Sequence, residues 1–274
     1  MPPVRQLLEH ITGAGVVSSR PARLPILMYH SISGAGPALT DMQVRLSSLR
    51  QQLAALQQEG WHLVGLTEAL ESHGADDRVV ALTFDDGYAD FLSAASCLGE
   101  LGARATLYIP TDHVGHHQLI AEAGRLLTWD EIAGLPRDVV EIGSHAHHHR
   151  PLDVRPRAAV ATETLTSKSR LEDVLGTSVT SFCYPHGYSS PRVRRQVAAA
   201  GYSNACIVGR RIARPSDDVF ALPRLHVTDD VSPQRIVRMV SSDRTPVASQ
   251  VKRALQPGWR SARHLSRLVG HELT

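Results

Sequence analysis

Two adjacent carboxylates, Asp85 and Asp86, follow the apolar run Val79-Val80-Ala81-Leu82-Thr83-Phe84, and Gly87 behind them lets the chain turn sharply. Carboxylates this close in a partly dry site repel, so one must keep a proton or face a cation. A metal ion meets that need. A second concentration of ligand types is Ser144-His145-Ala146-His147-His148-His149, where His145 and His149 stand four residues apart. That spacing predicts two imidazoles on one face of a helical turn, as in helical zinc sites, with His147 and His148 directed elsewhere. Pro151 limits how far the turn can run. The third candidate is His30, which closes Leu27-Met28-Tyr29-His30-Ser31. The plain alternatives are an acidic surface turn, an incidental His run and a structural histidine. Against the second stands the position of the run, just after a predicted buried strand.

A metal held by one Asp and two His keeps coordination positions open for water and a carbonyl oxygen. At a good zinc site the pKa of bound water falls from about 15.7 to around 7. A neighbouring carboxylate can then accept its proton and a protonated His can donate to a leaving nitrogen, each worth about 10²–10⁴-fold. Those parts suffice to hydrolyse an amide.

The elements that must carry these residues alternate along the chain. Pro25 to Tyr29 reads as a short buried strand. Met42, Leu46, Leu49, Leu53 and Leu56 mark an amphipathic helix stopped by Gly60. Further strands are expected at 79–84, 105–109, 139–142, 181–184, 204–208 and 222–227, with helices at 89–101 and 158–175. Thr128-Trp129-Asp130-Glu131 has the spacing of a capping box, and Ser190-Pro191 and Ser232-Pro233 each read as a helix start. Seven or so β-α units point to an α/β fold, a distorted (β/α) barrel of about seven parallel strands rather than an open sheet. Active sites of such barrels sit at the carboxyl ends of the strands, where Asp85, His145 and His30 fall.

The expected organisation is a lead-in over 1–23, a catalytic domain over 24–245 and a basic tail over 246–274. The tail carries Lys252, Arg253, Arg260, Arg263 and Arg267 against Glu272 alone. It reads as solvated or as a packing helix, with peripheral contact to a membrane surface or an anionic glycan as the functional alternative. The 274 residues suffice for a sizeable core, and 20% charged residues with a mean hydropathy of -0.14 exclude a disordered chain and a membrane bundle. A net charge of +2 gives no global field for nucleic acid. Cys97, Cys183 and Cys206 are too scattered for a disulfide framework and read as reduced and buried. With Glu9 and His10 interrupting any signal-peptide core, a cytoplasmic location is expected. Fifteen His outnumber Phe, Trp and Tyr combined. Of these, His113, His116 and His117 read as loop residues, and His10, His62, His73, His264 and His271 have no constellation around them.

Taken together, these segments resemble the polysaccharide deacetylases of carbohydrate esterase family 4. Thr83-Phe84-Asp85-Asp86-Gly87 is similar to the family's first motif and His145-x-x-x-His149 to its second; Leu127-Thr128-Trp129-Asp130-Glu131-Ile132 is similar to the stretch between them. Met28-Tyr29-His30 and Phe182-Cys183-Tyr184-Pro185-His186-Gly187 resemble the subgroup with an amino-terminal Met-Tyr-His segment and a Phe-Ala-Tyr-Pro-x-Gly third motif. The resemblance runs from about Pro25 to Val240. It implies that Asp86, His145 and His149 bind a divalent metal, zinc first with cobalt or nickel as alternatives. It further implies Asp85 as general base on metal-bound water and His30 as general acid, with His226 as competitor for the acid. Tyr184, Pro185 and His186 would contact substrate, the backbone N–H near His186 helping to hold the oxyanion. The third motif lacks the Arg that orients the base in other members, and Arg224, in Leu222-Pro223-Arg224-Leu225-His226, is the candidate replacement and is placed among the substrate-binding residues. The implied activity is removal of N-acetyl groups from an amino-sugar glycan or glycan precursor. Alternatives on the same site are a deformylase, an O-acetyl esterase or a small-amide hydrolase, and a module that binds metal or glycan without turnover. Asp85 argues against the last, because a pure metal site has no use for a base.

Overall fold

The computed structural model describes residues 23–34, 38, 40–72, 78–116 and 124–242. The lead-in apart from Arg23, and the basic tail, lie outside the described residues. In chain order the elements are β1 (Ile26–Tyr29), β2 (Ser31–Ser33), β3 (Gln43–Arg45), α1 (Leu46–Gln58), β4 (His62–Val64), α2 (Leu66–Glu71), β5 (Val79–Phe84), α3 (Phe91–Glu100), β6 (Ala105–Ile109), α4 (Trp129–Ala133), β7 (Val140–Ser144), α5 (Arg157–Leu175), β8 (Ser181–Cys183), α6 (Pro191–Ala199), β9 (Asn204–Val208), β10 (Leu222–His226) and α7 (Pro233–Ser241).

Strands β1, β10, β9, β8, β7, β6 and β5 pair in that order, and β1 pairs again with β5, closing a barrel of seven parallel strands. β4 lies outside that ring. It pairs with the lower half of β5 (His62 opposite Val79, Val64 opposite Ala81), whereas β6 pairs with the upper half (Thr83 opposite Thr106). The Arg104 N–H donates to Leu63 O at 3.0 Å, so β4 is wedged between the starts of β5 and β6 and splays them. This wedge is one source of the barrel's distortion.

Alternate side chains of each strand face opposite sides. Ile26, Ala81, Tyr108, Cys183, Cys206 and Leu222 fill the barrel, and Leu66 and Ala69 of α2 join them from below. Polar contacts fix α2 there: Leu66 N–H donates to Thr106 Oγ1 (2.7 Å) and Thr67 N–H to Glu141 Oε2 (3.2 Å). The outward residues, among them Leu27, Tyr29, Leu82, Phe84 and Leu107, pack with the helices into the larger core. All three cysteines are buried and free. No described helix is long and apolar enough to cross a membrane.

Several local expectations meet a different outcome. The helix expected from Met42 starts at Leu46, because Gln43–Arg45 pairs instead with Ser31–Ser33. The sequence reading leaves 61–78 unassigned, yet it supplies β4 and α2; both are too short for a periodicity to emerge. The capping box at Thr128 forms both reciprocal bonds but opens a helix of only 5 residues. Ser190 and Ser232 cap α6 and α7 as expected.

Candidate active site

The strand β5 ends inside the upper mouth of the barrel and delivers Asp85. Its N–H donates to Tyr29 O (3.0 Å), which holds the end of β5 level with the end of β1 and so with His30. Arg224, from β10, lies wholly buried beneath. Its guanidinium donates to both carboxylate oxygens of Asp85, Nη1 to Oδ1 and Nη2 to Oδ2, each at 2.6 Å. Thr83 Oγ1 (3.1 Å) and Cys183 Sγ (3.1 Å) accept further bonds, and the Tyr108 ring lies 5.9 Å below the guanidinium carbon. Burial alone pushes the Asp85 pKa up; the charge and hydrogen bonds of Arg224, then His145 and His30, outweigh it and hold the carboxyl below its ordinary value. Asp85 is therefore a buried, ionised acceptor at neutral pH.

Asp86 follows with φ 73, a left-handed conformation that swings its carboxylate away from Asp85 and towards the β7 side. Its Oδ1 lies 3.4 Å from His145 Nε2 and 3.2 Å from His149 Nε2. The two histidines do not share a helical turn. Residues 145–150 are a loop with Ala146 (φ 63) and His149 (φ 54) left-handed, and those two reversals bring the rings to 4.8 Å. The i, i+4 spacing therefore pairs two rings that do meet, but for a different physical reason. His145 Nδ1–H donates to Cys183 O (2.8 Å), which leaves the Nε2 lone pair facing Asp86. Burial pushes the Asp86 pKa up, but His149 and the bonds from both rings hold it well below the carboxylate range. One carboxylate and two Nε2 atoms converging in a buried spot fit a borderline divalent ion such as zinc.

His30 places Nε2 3.8 Å from Asp85 Oδ2. Burial lowers its pKa, opposed by Asp85 and Asp86. His226 stands edge-on to His30, ring centroids 5.9 Å apart, and His30 Nδ1 and His226 Nε2 are both buried without a hydrogen-bond partner. Burial and the His30 charge push the His226 pKa down to about 4. His186, at φ 57 in the 3₁₀ turn Pro185–Gly187, brings its ring 4.8 Å from that of His149; burial, then the charges of His149 and His145, lower its pKa to about 4.

Two residues expected at the substrate lie buried. Tyr184 is fully buried and its OH donates to Phe220 O (3.0 Å). Arg224 is fully buried beneath Asp85, with its guanidinium on that carboxylate. Pro185 is also buried and shapes the turn, leaving His186 as the accessible member of that group. His113 is tied to the site, with Nε2 3.3 Å from His148 O and its ring 6.5 Å from that of His149.

Sequence reasoning missed Glu163 and gave Cys183 only a core role. Glu163 Oε2 accepts the backbone N–H groups of His147 (2.9 Å) and His148 (2.8 Å), anchoring the strained ligand loop to α5. No local pattern could have found it, because the partners are fifteen and sixteen residues apart in separate elements.

A closed parallel barrel with acid, base and metal-ligand types converging at its carboxyl mouth defines the class: a hydrolase built on a (β/α) barrel. Residues 72–205 match the polysaccharide deacetylase family model. YxkH of Bacillus subtilis, named as a polysaccharide deacetylase, is 25% identical over 232 residues, covering 83% of this chain and 79% of its own length. The poly-β-1,6-N-acetyl-D-glucosamine N-deacetylase of Escherichia coli K12 is 25% identical over 133 residues, 43% of this chain and 20% of the relative. Among solved structures, the deacetylase PplD of Streptococcus pyogenes, in complex with acetate, superposes with a TM-score of 0.71 at 24% identity, covering 80% of this chain and 99% of that one.

Proposed function

We propose that the chain is a divalent-metal-dependent N-deacetylase acting on an N-acetylated amino sugar within a glycan or glycan precursor. The observation that carries this reading is Asp85, kept ionised by the forked Arg224 contact and flanked on one side by the Asp86, His145 and His149 group and on the other by His30. A binding module would have no need of the first carboxylate or its buried counter-ion.

Asp86 Oδ1, His145 Nε2 and His149 Nε2 are the atoms that would hold the ion. When bound, such an ion polarises the acetyl carbonyl and makes water a better nucleophile near neutral pH. Asp85 takes the proton from the attacking water, and Arg224 keeps that carboxylate charged and oriented until it does. The C–N bond then breaks, and His30 gives a proton to the leaving nitrogen, yielding acetate and the free amino sugar. His30 holds the acid role over His226 because it is the one within 3.8 Å of Asp85. The His186 N–H, in the tight turn beside His149, is the proposed donor to the developing oxyanion. The N-deacetylase activity in the name of the Escherichia coli relative favours acetyl on nitrogen over formyl or O-acetyl.

The test is acetate release from N-acetylglucosamine oligomers and from nucleotide-linked and lipid-linked N-acetyl sugars. Metal-stripped protein is compared with and without added zinc, cobalt or nickel, beside Asp85→Asn. Metal-dependent release that Asp85→Asn removes is the expected result. Release that survives metal stripping or Asp85→Asn refutes the mechanism.

A further inference from the structure

Between the ligands His145 and His149 lie His147 and His148, whose rings play no part in the site above. Their rings meet Asp112, from the loop that follows β6; His147 is buried and His148 partly exposed. His147 Nε2 is 3.8 Å from Asp112 Oδ1, and His148 Nε2 is 4.0 Å from Asp112 Oδ2. Both separations are too long for hydrogen bonds. Donors held by one tetrahedral ion at about 2.0–2.2 Å each stand roughly 3.3–3.6 Å apart, so the three groups face one another across a gap that a small inward shift brings to ligating distance.

The far side of each ring is already held. His148 Nδ1–H donates to Glu163 Oε1 at 2.8 Å; a carboxylate can only accept, so the lone pair of His148 is fixed on Nε2, towards Asp112. His147 Nδ1 is 2.9 Å from Thr111 Oγ1, and its ring centroid is 4.2 Å from that of His148. Imidazoles oriented through Nδ1 by a carboxylate or hydroxyl, with Nε2 presented to a common point, are the arrangement that outer-sphere partners impose on metal ligands. Glu163 is itself buried, whereas Asp112 and His148 are partly exposed, so an ion can enter from solvent.

We propose that Asp112, His147 and His148 form a second divalent-metal site, separate from the Asp86, His145 and His149 set. Two imidazoles and one carboxylate select borderline ions, zinc, nickel or cobalt, over calcium or magnesium. The ion would staple the loop after β6 to the loop after β7. The second of these is held in left-handed conformations at Ala146 and His149, and its backbone is anchored by Glu163 Oε2, by Ser144 Oγ and by the N–H groups of Thr111 and Asp112, contacts that the ion would reinforce. The second ion is thus a brace for the loop that carries the first.

Calorimetric titration of metal-stripped full-length protein with zinc alone, with metal analysis after gel filtration, tests this directly. The expected result is two binding events per chain, of which Asp112→Asn and His148→Asn each weaken one at least tenfold and leave the other, while Asp86→Asn does the reverse. Asp112 and His148 are exposed enough for these variants to fold, and far-UV circular dichroism checks that they do. The idea is overturned if the wild type binds one equivalent that Asp86→Asn removes. It is equally overturned if Asp112→Asn and His148→Asn match the wild type in both stoichiometry and affinity. With cobalt as probe, Asp112→Asn should also remove about half of the visible absorption at saturation, whatever the activity of the protein.

Discussion

Replacing Arg224 by Met keeps much of its volume and removes its charge, and so isolates what the guanidinium does for Asp85. Both partners are buried and share two 2.6 Å bonds, so deleting one leaves an uncompensated charge in a dry site. Breaking such a pair costs about 3–5 kcal/mol. A domain of this size loses roughly 2–4 °C of melting temperature per kcal/mol, so Tm should fall on the order of 10 °C. The second effect is on protonation. Burial pushes the Asp85 pKa up, and Arg224, ahead of His145 and His30, holds it below its ordinary value; without Arg224 the pKa rises. The smaller the ionised fraction of that carboxyl, the less it can accept a proton from water, and activity should drop, at most by about 10²–10⁴-fold, the worth of a general base. Because the loss comes from protonation, part of it should return as pH is raised, which a merely unfolded variant would not show. The assay is acetate release from pH 6 to 10 beside thermal denaturation. Full turnover at pH 7 with an unchanged melting temperature refutes the reasoning.

Three other outcomes follow from contacts described above. Gly143→Ala would put a Cβ 2.5 Å from Tyr108 Cδ1 and 3.1 Å from Ser181 O, inside the barrel, and should destabilise by about 1–3 kcal/mol in denaturant titration. Glu131, hydrogen-bonded by Arg125, has its pKa lowered to about 2. Its contribution is complete above the ordinary glutamate value of about 4.3 and is lost as pH falls towards 2. The stability gap between wild type and Glu131→Gln should therefore be widest near neutrality and shrink between those values. Glu163→Gln removes one acceptor oxygen from the ligand loop, and in the Asp112→Asn background it should weaken zinc binding at the Asp86 set about 10–100-fold, read by competition with a chromogenic chelator.

The barrel was legible because buried parallel strands are continuous apolar runs, and Val79–Phe84 and Ala105–Ile109 stand out against polar helix faces. The short pieces were not: β4 and α2 owe their conformation to docking against β5 and Glu141, contacts no window of sequence contains. The same division runs through the site. Asp85, Asp86, His145 and His149 announce themselves by proximity in sequence. Arg224 is legible only through the resemblance, as the candidate replacement for a third-motif arginine that this chain lacks. Its depth was not legible, because sequence does not distinguish the floor of a mouth from its rim. Glu163 had no such pointer, since backbone N–H groups leave no trace in residue identity.

The ring is closed by β1, which pairs with β5 on one side and β10 on the other. The first and last strands of the barrel are thus neighbours, and the seam between them lies beside His30, Asp85 and Arg224. During synthesis, β1 and β5 emerge long before β10, so the nascent chain carries Asp85 for well over a hundred residues before its counter-charge exists. Until β10 arrives, closing the barrel would bury a lone carboxylate, and water must keep access to the interior. Closure and neutralisation are therefore one event, set by the longest-range pairing in the fold, which is where folding is slowest. A ribosome-stalled chain ending before Leu222 should expose the β1 edge to chaperones and proteases, and one extended past His226 should bury it.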